Sequence, residues 1–160
     1  MSLIITDLRS LSRIITRQNK RFRLFVQLLD ISTKSSKHDY CRNYDYKLTL
    51  GNIKELNSTT TTDYTNLGVF CDIQVIEKIT YDNGSMPIIG SLLDVRAISV
   101  YNESKIGNND NQFILECLHI RIINGDEIKS LRKFLNTSKG EEFLKQYATS
   151  YLNNSNGASK

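Results

Sequence analysis

The chain holds one proline in 160 residues, a scarcity that fits a body of long, regular elements. It has no run near the roughly 18 consecutive apolar residues a membrane-spanning helix needs, so a soluble protein with no membrane contact is expected. Its three cysteines, Cys41, Cys71 and Cys117, are an odd number without a CxxC pair, which argues against a disulfide scaffold. They point to a reducing compartment, cytosol or nucleus. The two histidines, His38 and His119, stand far apart with no ligand spacing around them, so no metal is expected. Catalytic and nucleotide-binding signatures are missing as well: no GxGxxG, P-loop, HExxH or GxSxG occurs. Asp94 and Glu116 are the carboxylates that neighbouring strands could bring together, and solvation or pairing with a residue such as Arg96 is the expected fate of both. The chain therefore reads as a non-enzyme without cofactor.

What is present is a globular composition, 39% apolar with six Phe and eight Tyr, enough for a real core in one domain. The net charge of +4 is unevenly placed. Arg9, Arg13, Arg17, Lys20, Arg21 and Arg23 face only Asp7 within the first 23 residues, giving +5 there and −1 over the remainder. Such a segment either meets an anionic partner or forms a solvated face.

The chain is organised around Ile88 to Leu135, two long strands joined by a polar loop and followed by an amphipathic helix. Before it, residues 6–17 place Leu8, Leu11, Ile14 and Ile15 at helical spacing, with Thr6 as N-cap and Asp7 in the first turn. A mitochondrial presequence is the alternative for this Ser- and Arg-rich stretch, but the first strand follows without a linker, which favours a helix packed on the domain. That strand, Phe22 to Ile31, is apolar on both parities, as a strand buried on two faces or bending between two surfaces would be. A long polar loop follows. The second strand, Tyr44 to Leu50, alternates cleanly, with Tyr44, Tyr46, Leu48 and Leu50 on the core side, and Gly51 and Asn52 end it. Residues 57–66 form a polar low-complexity loop. The third strand is expected from Leu67 to about Ile79, and Asp82-Asn83-Gly84-Ser85 is a turn. The fourth strand carries Leu93, Val95 and Ala97 opposite Asp94 and Arg96. The fifth, Phe113 to Ile123, places Ile114, Leu118, Ile120 and Ile122 together, with Glu116 the polar position of that parity.

Asn124 and Glu127 have capping-box spacing for a helix whose stripe is Ile128, Leu131, Phe134 and Leu135. Ser138-Lys139-Gly140-Glu141 looks like a second box, so the helix breaks and restarts with Phe143, Leu144, Tyr147, Tyr151 and Leu152. The expected organisation is one domain over 1–152, with a helical lead at 1–20, C-terminal helices at 124–152 and a disordered tail at 153–160.

Five strands, a long first strand, variable polar loops and terminal helices imply a mostly β fold, the five-stranded Greek-key barrel of the OB-fold, with an N-terminal helix and C-terminal helices. The alternatives are a split sandwich or an α+β sheet. The short connection expected between strands three and four leaves no room for the helix an OB-fold often carries there. The order of these elements resembles one family, the smallest, Ten-type subunit of the CST telomere-capping complex. The resemblance rests on Gly90-Ser91-Leu92-Leu93-Asp94-Val95-Arg96, then Phe113 to Ile123 running straight into Asn124-Gly125-Asp126-Glu127-Ile128. It covers most of residues 3–136, and would also suit the smallest subunit of a replication protein A-like complex or a purely structural OB-fold adaptor. The long 31–44 and 51–66 loops and the helix after Ser138 depart from it.

The resemblance implies a nuclear protein at chromosome ends, serving end protection and length control. It would pair with a larger OB-fold subunit through C-terminal helices, a role that falls to Ile128, Leu131, Phe134, Leu135, Phe143 and Tyr147. The alternative is that this stripe caps the protein's own barrel. For single-stranded telomeric DNA an OB-fold uses its second and third strands and the loops after the first and fourth. The candidates there are Lys34, Lys37, Arg42, Lys47 and Lys105, with Tyr40 and Tyr101 as stacking platforms. Tyr44 and Tyr46 are read as core residues, and weak, salt-sensitive binding is the expected form.

Overall fold

In a computed structural model, residues 2–33, 44–56, 65–102, 113–140 and 142 are described. Their elements are β1 (Leu3–Ile5), a 3-10 turn (Leu8–Arg13), β2 (Arg21–Thr33), β3 (Tyr46–Asn52), a second 3-10 turn (Lys54–Leu56), β4 (Asn66–Cys71), α1 (Ile73–Asn83), β5 (Leu92–Tyr101), β6 (Phe113–Ile122) and α2 (Gly125–Leu135).

The long β2 makes the barrel possible. Its start pairs antiparallel with β5 from Arg21↔Ile98 to Gln27↔Leu92, and its second half pairs antiparallel with β3 from Val26↔Asn52 to Thr33↔Tyr46. β3 continues to β4, β4 pairs in parallel with β6 at Val69↔Leu115 and Phe70↔Glu116, and β6 returns antiparallel to β5. The ring β2–β3–β4–β6–β5 is thereby closed, and β1 lies outside it, parallel to β2 at Phe22 to Leu24. This is the expected OB-fold barrel.

The apolar runs on both parities of β2 have two destinations. Phe22, Leu24, Val26 and Leu28 fill the barrel, whereas Phe25 is buried outside it with Ile53, Ile123 and Ile128. A bulge between Leu28 and Asp30 shifts the alternation by one residue, so Ile31 packs on the barrel core and Leu29 faces outward.

Several boundaries differ from expectation. The third strand stops at Cys71, and Ile73–Asn83 is a helix, so the helix of an OB-fold is present where the connection was read as too short. Val69 to Val75 alternates with period two, but Ile76 and Ile79 are buried three apart, and packing overrides the weak helix propensity of these β-branched residues. Asp72 occupies the N-cap position without a side-chain hydrogen bond. Asp45 supplies one instead, its Oδ2 accepting from the Ile73 N–H at 2.9 Å. Gly84, at φ 78°, closes the helix in the left-handed conformation that glycine adopts without strain. β3 begins at Tyr46, not Tyr44, and runs on through Gly51 to end at Asn52.

The N-terminal helix is a 3-10 turn capped by Asp7, not an α-helix capped by Thr6. Leu8, Leu11 and Ile14 are all buried in the main core, and their spacing of three matches three residues per turn. Asn52 fastens this segment: its Oδ1 accepts from the Leu8 N–H at 2.8 Å and its Nδ2 donates to Asp7 Oδ1 at 3.2 Å.

On β6 a second bulge, at Leu118, corrects the parity reading. His119 pairs with Arg96 and Cys117 with Ala97, so Leu115 and Cys117 face the core with Ile120, while Leu118 is exposed. After α2, Thr137 Oγ1 accepts from the Gly140 N–H at 3.1 Å, so Thr137 and not Ser138 caps the helical turn that begins at Ser138. The second stripe, including Phe143 and Tyr147, and the tail lie outside the described residues.

Candidate functional site

α2 starts as its sequence implies. Asn124 Oδ1 accepts from the Glu127 N–H at 2.8 Å. The box is not reciprocal, because the Glu127 carboxylate accepts from Arg121 Nη1 at 2.7 Å instead. Along the helix the apolar stripe divides. Ile128 is 3% exposed against Phe25, Ile53 and Ile123, and Leu131 packs half-buried on the same cluster. Phe134, the penultimate residue of the helix, is 45% exposed, and Leu135 is half-buried. The first part of the stripe caps the protein's own barrel, and among the described residues the last part joins neither core cluster.

Beside α2 runs a groove of about 550 Å³ whose lining is apolar at Phe25, Ile123, Ile128, Leu131 and Phe134, basic at Arg23 and Arg121, and acidic at Asp126 and Glu127. Its floor is a neutralised relay. Asp94, 3% exposed on the outer side of β5, accepts from Arg23 Nε at 3.1 Å and Nη2 at 2.8 Å, and from Arg121 Nη2 at 3.3 Å. Arg121 in turn reaches Glu127, so β2, β5, β6 and α2 are joined through one chain of charge-assisted contacts. The hydrogen bond to Asp94 raises the pKa of Arg23, and that to Glu127 raises the pKa of Arg121. The Arg23 guanidinium also lies 5.1 Å above the Phe25 ring. Asp94 is thus paired with Arg23 and Arg121, not with Arg96, while Glu116 accepts from the Tyr44 hydroxyl at 3.0 Å. The two carboxylates stand at separate register positions, Asp94 opposite Arg121 and Glu116 opposite Ile98.

Of the candidate nucleic-acid residues, Lys47 and Tyr101 are described; Lys34, Lys37, Tyr40, Arg42 and Lys105 lie outside the described residues. Lys47 projects from the outer face of β3 with its ammonium 5.9 Å from the centroid of Phe70. Gly68 permits this: a Cβ there would come within 2.9 Å of Lys47 Cε. Tyr44 flanks the same ring at 5.8 Å, so it lies on the outer face and not in the core, whereas Tyr46 packs half-buried on the core as expected. Tyr101 is 53% exposed at the end of the β5–β6 hairpin, edge-on to Phe113 at 6.2 Å. Lys47 and Tyr101 thus belong to two separate aromatic groups. Phe70 and Phe113 escaped the sequence reading. Phe70 had a signal, an aromatic on the parity opposite Val69 and Cys71, whose neighbour Lys47 follows only from the β3–β4 register.

Cys71 and Cys117 are free and buried. Burial pushes the Cys71 thiol up to about 12 and raises that of Cys117 further, so neither is a nucleophile at neutral pH. Among the described residues no group of three or more His, Cys, Asp or Glu could hold a metal ion.

Barrel closure, the helix between the third and fourth barrel strands and the C-terminal helix define an OB-fold chain. No protein-family model matches the sequence, and no curated protein matches it. Among solved structures, a chain in a crystal structure of yeast Stn1 and Ten1 aligns over 91% of this chain and 97% of its own length, with TM-score 0.63 and 23% identity, and shares the fold. The S. pombe Stn1-Ten1 complex aligns over 81% of this chain and 77% of the other, with TM-score 0.45 and 12% identity. Rim1, the mitochondrial single-stranded DNA-binding protein of S. cerevisiae, aligns over 68% and 97%, with TM-score 0.41 and 9% identity. The last two are too distant to add to the first.

Proposed function

We propose that the chain is a small, non-enzymatic OB-fold subunit of a telomere-capping complex of the CST kind. In this reading it pairs through α2 with a larger OB-fold partner. It acts in the nucleus at chromosome ends, where the complex binds single-stranded telomeric DNA, protects the end and controls its length. The observation that carries the reading is the outer end of α2, where Phe134 stands 45% exposed beside an apolar groove while Ile128 anchors the other end of the stripe. Burying one such side chain contributes about 1.5–3 kcal/mol, the scale of an interface anchor. The fold shared with a chain of the yeast Stn1 and Ten1 structure supports an assembly of this type. Lys47 beside Phe70, and exposed Tyr101, are the described groups that would meet a nucleic acid strand. So few cations imply weak binding that still falls with salt, with a shallow slope, because the slope scales with the number of phosphates neutralised.

The test is recovery of bound protein and DNA from cells with wild type, Phe134→Asp and Leu131→Asp/Phe134→Asp, the fold of each checked by circular dichroism. Phe134 is 45% exposed and lines the groove, so Phe134→Asp alone should cost about 1 kcal/mol and leave the fold intact. The variants are expected to lose one OB-fold protein and telomeric single strands together. If every partner stays bound, α2 belongs to the domain alone and the proposal fails.

A further inference from the structure

The wall beside the groove carries charge that the fold does not use. Arg23 and Arg96 are directly opposite each other across β2 and β5, and His119 follows Arg96 on β6. Like charges at such positions oppose pairing. Asp94 takes up Arg23, and Arg121 is shared between Asp94 and Glu127. Arg96 and Arg21, both exposed on this wall, have no carboxylate partner among the described residues. The groove carries Asp126 and Glu127 on its α2 side, and on its sheet side the register sets Arg96 beside the lining residue Arg23, with Arg21 two residues before Arg23 on the same strand.

We infer that the groove takes an amphipathic helix of the partner with carboxylates along one edge, its apolar face over Leu131 and Phe134 and its acidic edge against Arg96 and Arg21. This rests on the pairing reading above and adds the chemistry of the partner's docking element. Charge complementarity favours it, since each guanidinium presents an unused fork for a carboxylate. A nucleic acid strand fits this place less well. Phe25 is buried with Arg23 over its face, and the groove's exposed ring, Phe134, stands at the α2 end away from Arg96 and Arg21, so no ring lies beside these two cations for a base to stack on.

The experiment uses the full chain and three labelled synthetic helices with the same Leu/Phe face, whose one edge carries Glu, Gln or Lys, followed by fluorescence anisotropy; an oligo-dT strand is the fourth probe. The Glu-edged helix is expected to bind about tenfold tighter than the Gln-edged one at low salt, with the gap closing as salt rises. Arg21→Glu/Arg96→Glu should reverse the order so that the Lys-edged helix binds best, and Phe134→Asp should weaken all three. If Phe134→Asp weakens binding but the edge charge makes no difference, the acidic-edge inference falls and the pairing surface stands. If Phe134→Asp changes nothing, or no helix binds, both fall. If oligo-dT displaces the Glu-edged helix and loses affinity in the Arg21→Glu/Arg96→Glu variant, the wall is a nucleic-acid surface and the inference is overturned.

Discussion

A buried carboxylate on the outside of a barrel exists only because its neighbours are in register to receive it. Asp94 sits between Phe25 on β2 and Arg121 on β6, with Arg23 two residues before Phe25 on the same face. The alternation of the fourth strand placed Asp94 on the outward parity, and that was right. Its partners were not legible, because Arg23 is 71 residues away and Arg121 is 27, and nothing local couples them. The asymmetry of the group yields a prediction. Arg23 and Arg121 are partly exposed and can turn to water when Asp94 is removed, so Asp94→Ala should cost about 1–3 kcal/mol in urea unfolding. Replacing both arginines with methionine keeps most of the packing but leaves a buried carboxylate uncompensated, which should cost about 3–5 kcal/mol at neutral pH. If Asp94→Ala is the more damaging change, the two arginines are not what offsets the burial of that carboxylate.

Elements were read well where one period ran through them and poorly where two overlapped. α2 was legible because Asn124, Glu127 and the stripe from Ile128 agree on one helix. α1 was not, because the alternation of β4 runs through Val75 while the cap that starts the helix comes from Asp45, 28 residues upstream. A capping carboxylate on another segment leaves no mark near the helix it caps. Its weight can be measured against Asp72, which holds the N-cap position but makes no side-chain bond. Asp45→Ala should destabilise the chain by about 1 kcal/mol, in the range of a lost N-cap, and Asp72→Ala by a few tenths. Thermal melts of the two variants check this, and equal losses would mean that Asp72 shares the capping in solution. The same comparison bears on the barrel, because Ile76 and Ile79 carry α1 into the main core.

At the scale of the molecule, the count of five barrel strands was present in the alternation, but closure was not. It depends on the parallel pairing of β4 with β6, written in two residue pairs, Val69↔Leu115 and Phe70↔Glu116, that are far apart in the chain. The N-terminal segment has the opposite character: its apolar spacing and its packing on the domain were plain, and its 3-10 geometry was not. Ile5, Leu8, Leu11 and Ile14 are each at most 7% exposed, in one cluster with Phe22, Leu24 and Val95. Ser99 ties the chain that follows them, accepting from the Lys20 N–H at 2.9 Å and donating to the Arg17 carbonyl at 2.7 Å. The segment therefore closes the core. Four aliphatic side chains at about 1.5–3 kcal/mol each amount to roughly 6–12 kcal/mol as an upper estimate, comparable to the whole stability of a domain. A chain starting at residue 16 should accordingly show no cooperative unfolding transition and should bind a hydrophobic dye, whereas one ending at residue 152 should melt as the full chain does. Differential scanning fluorimetry of the two truncations decides it, and a cooperative melt of the first within a few degrees of the full chain would mean that the barrel core is complete without its N-terminal strap.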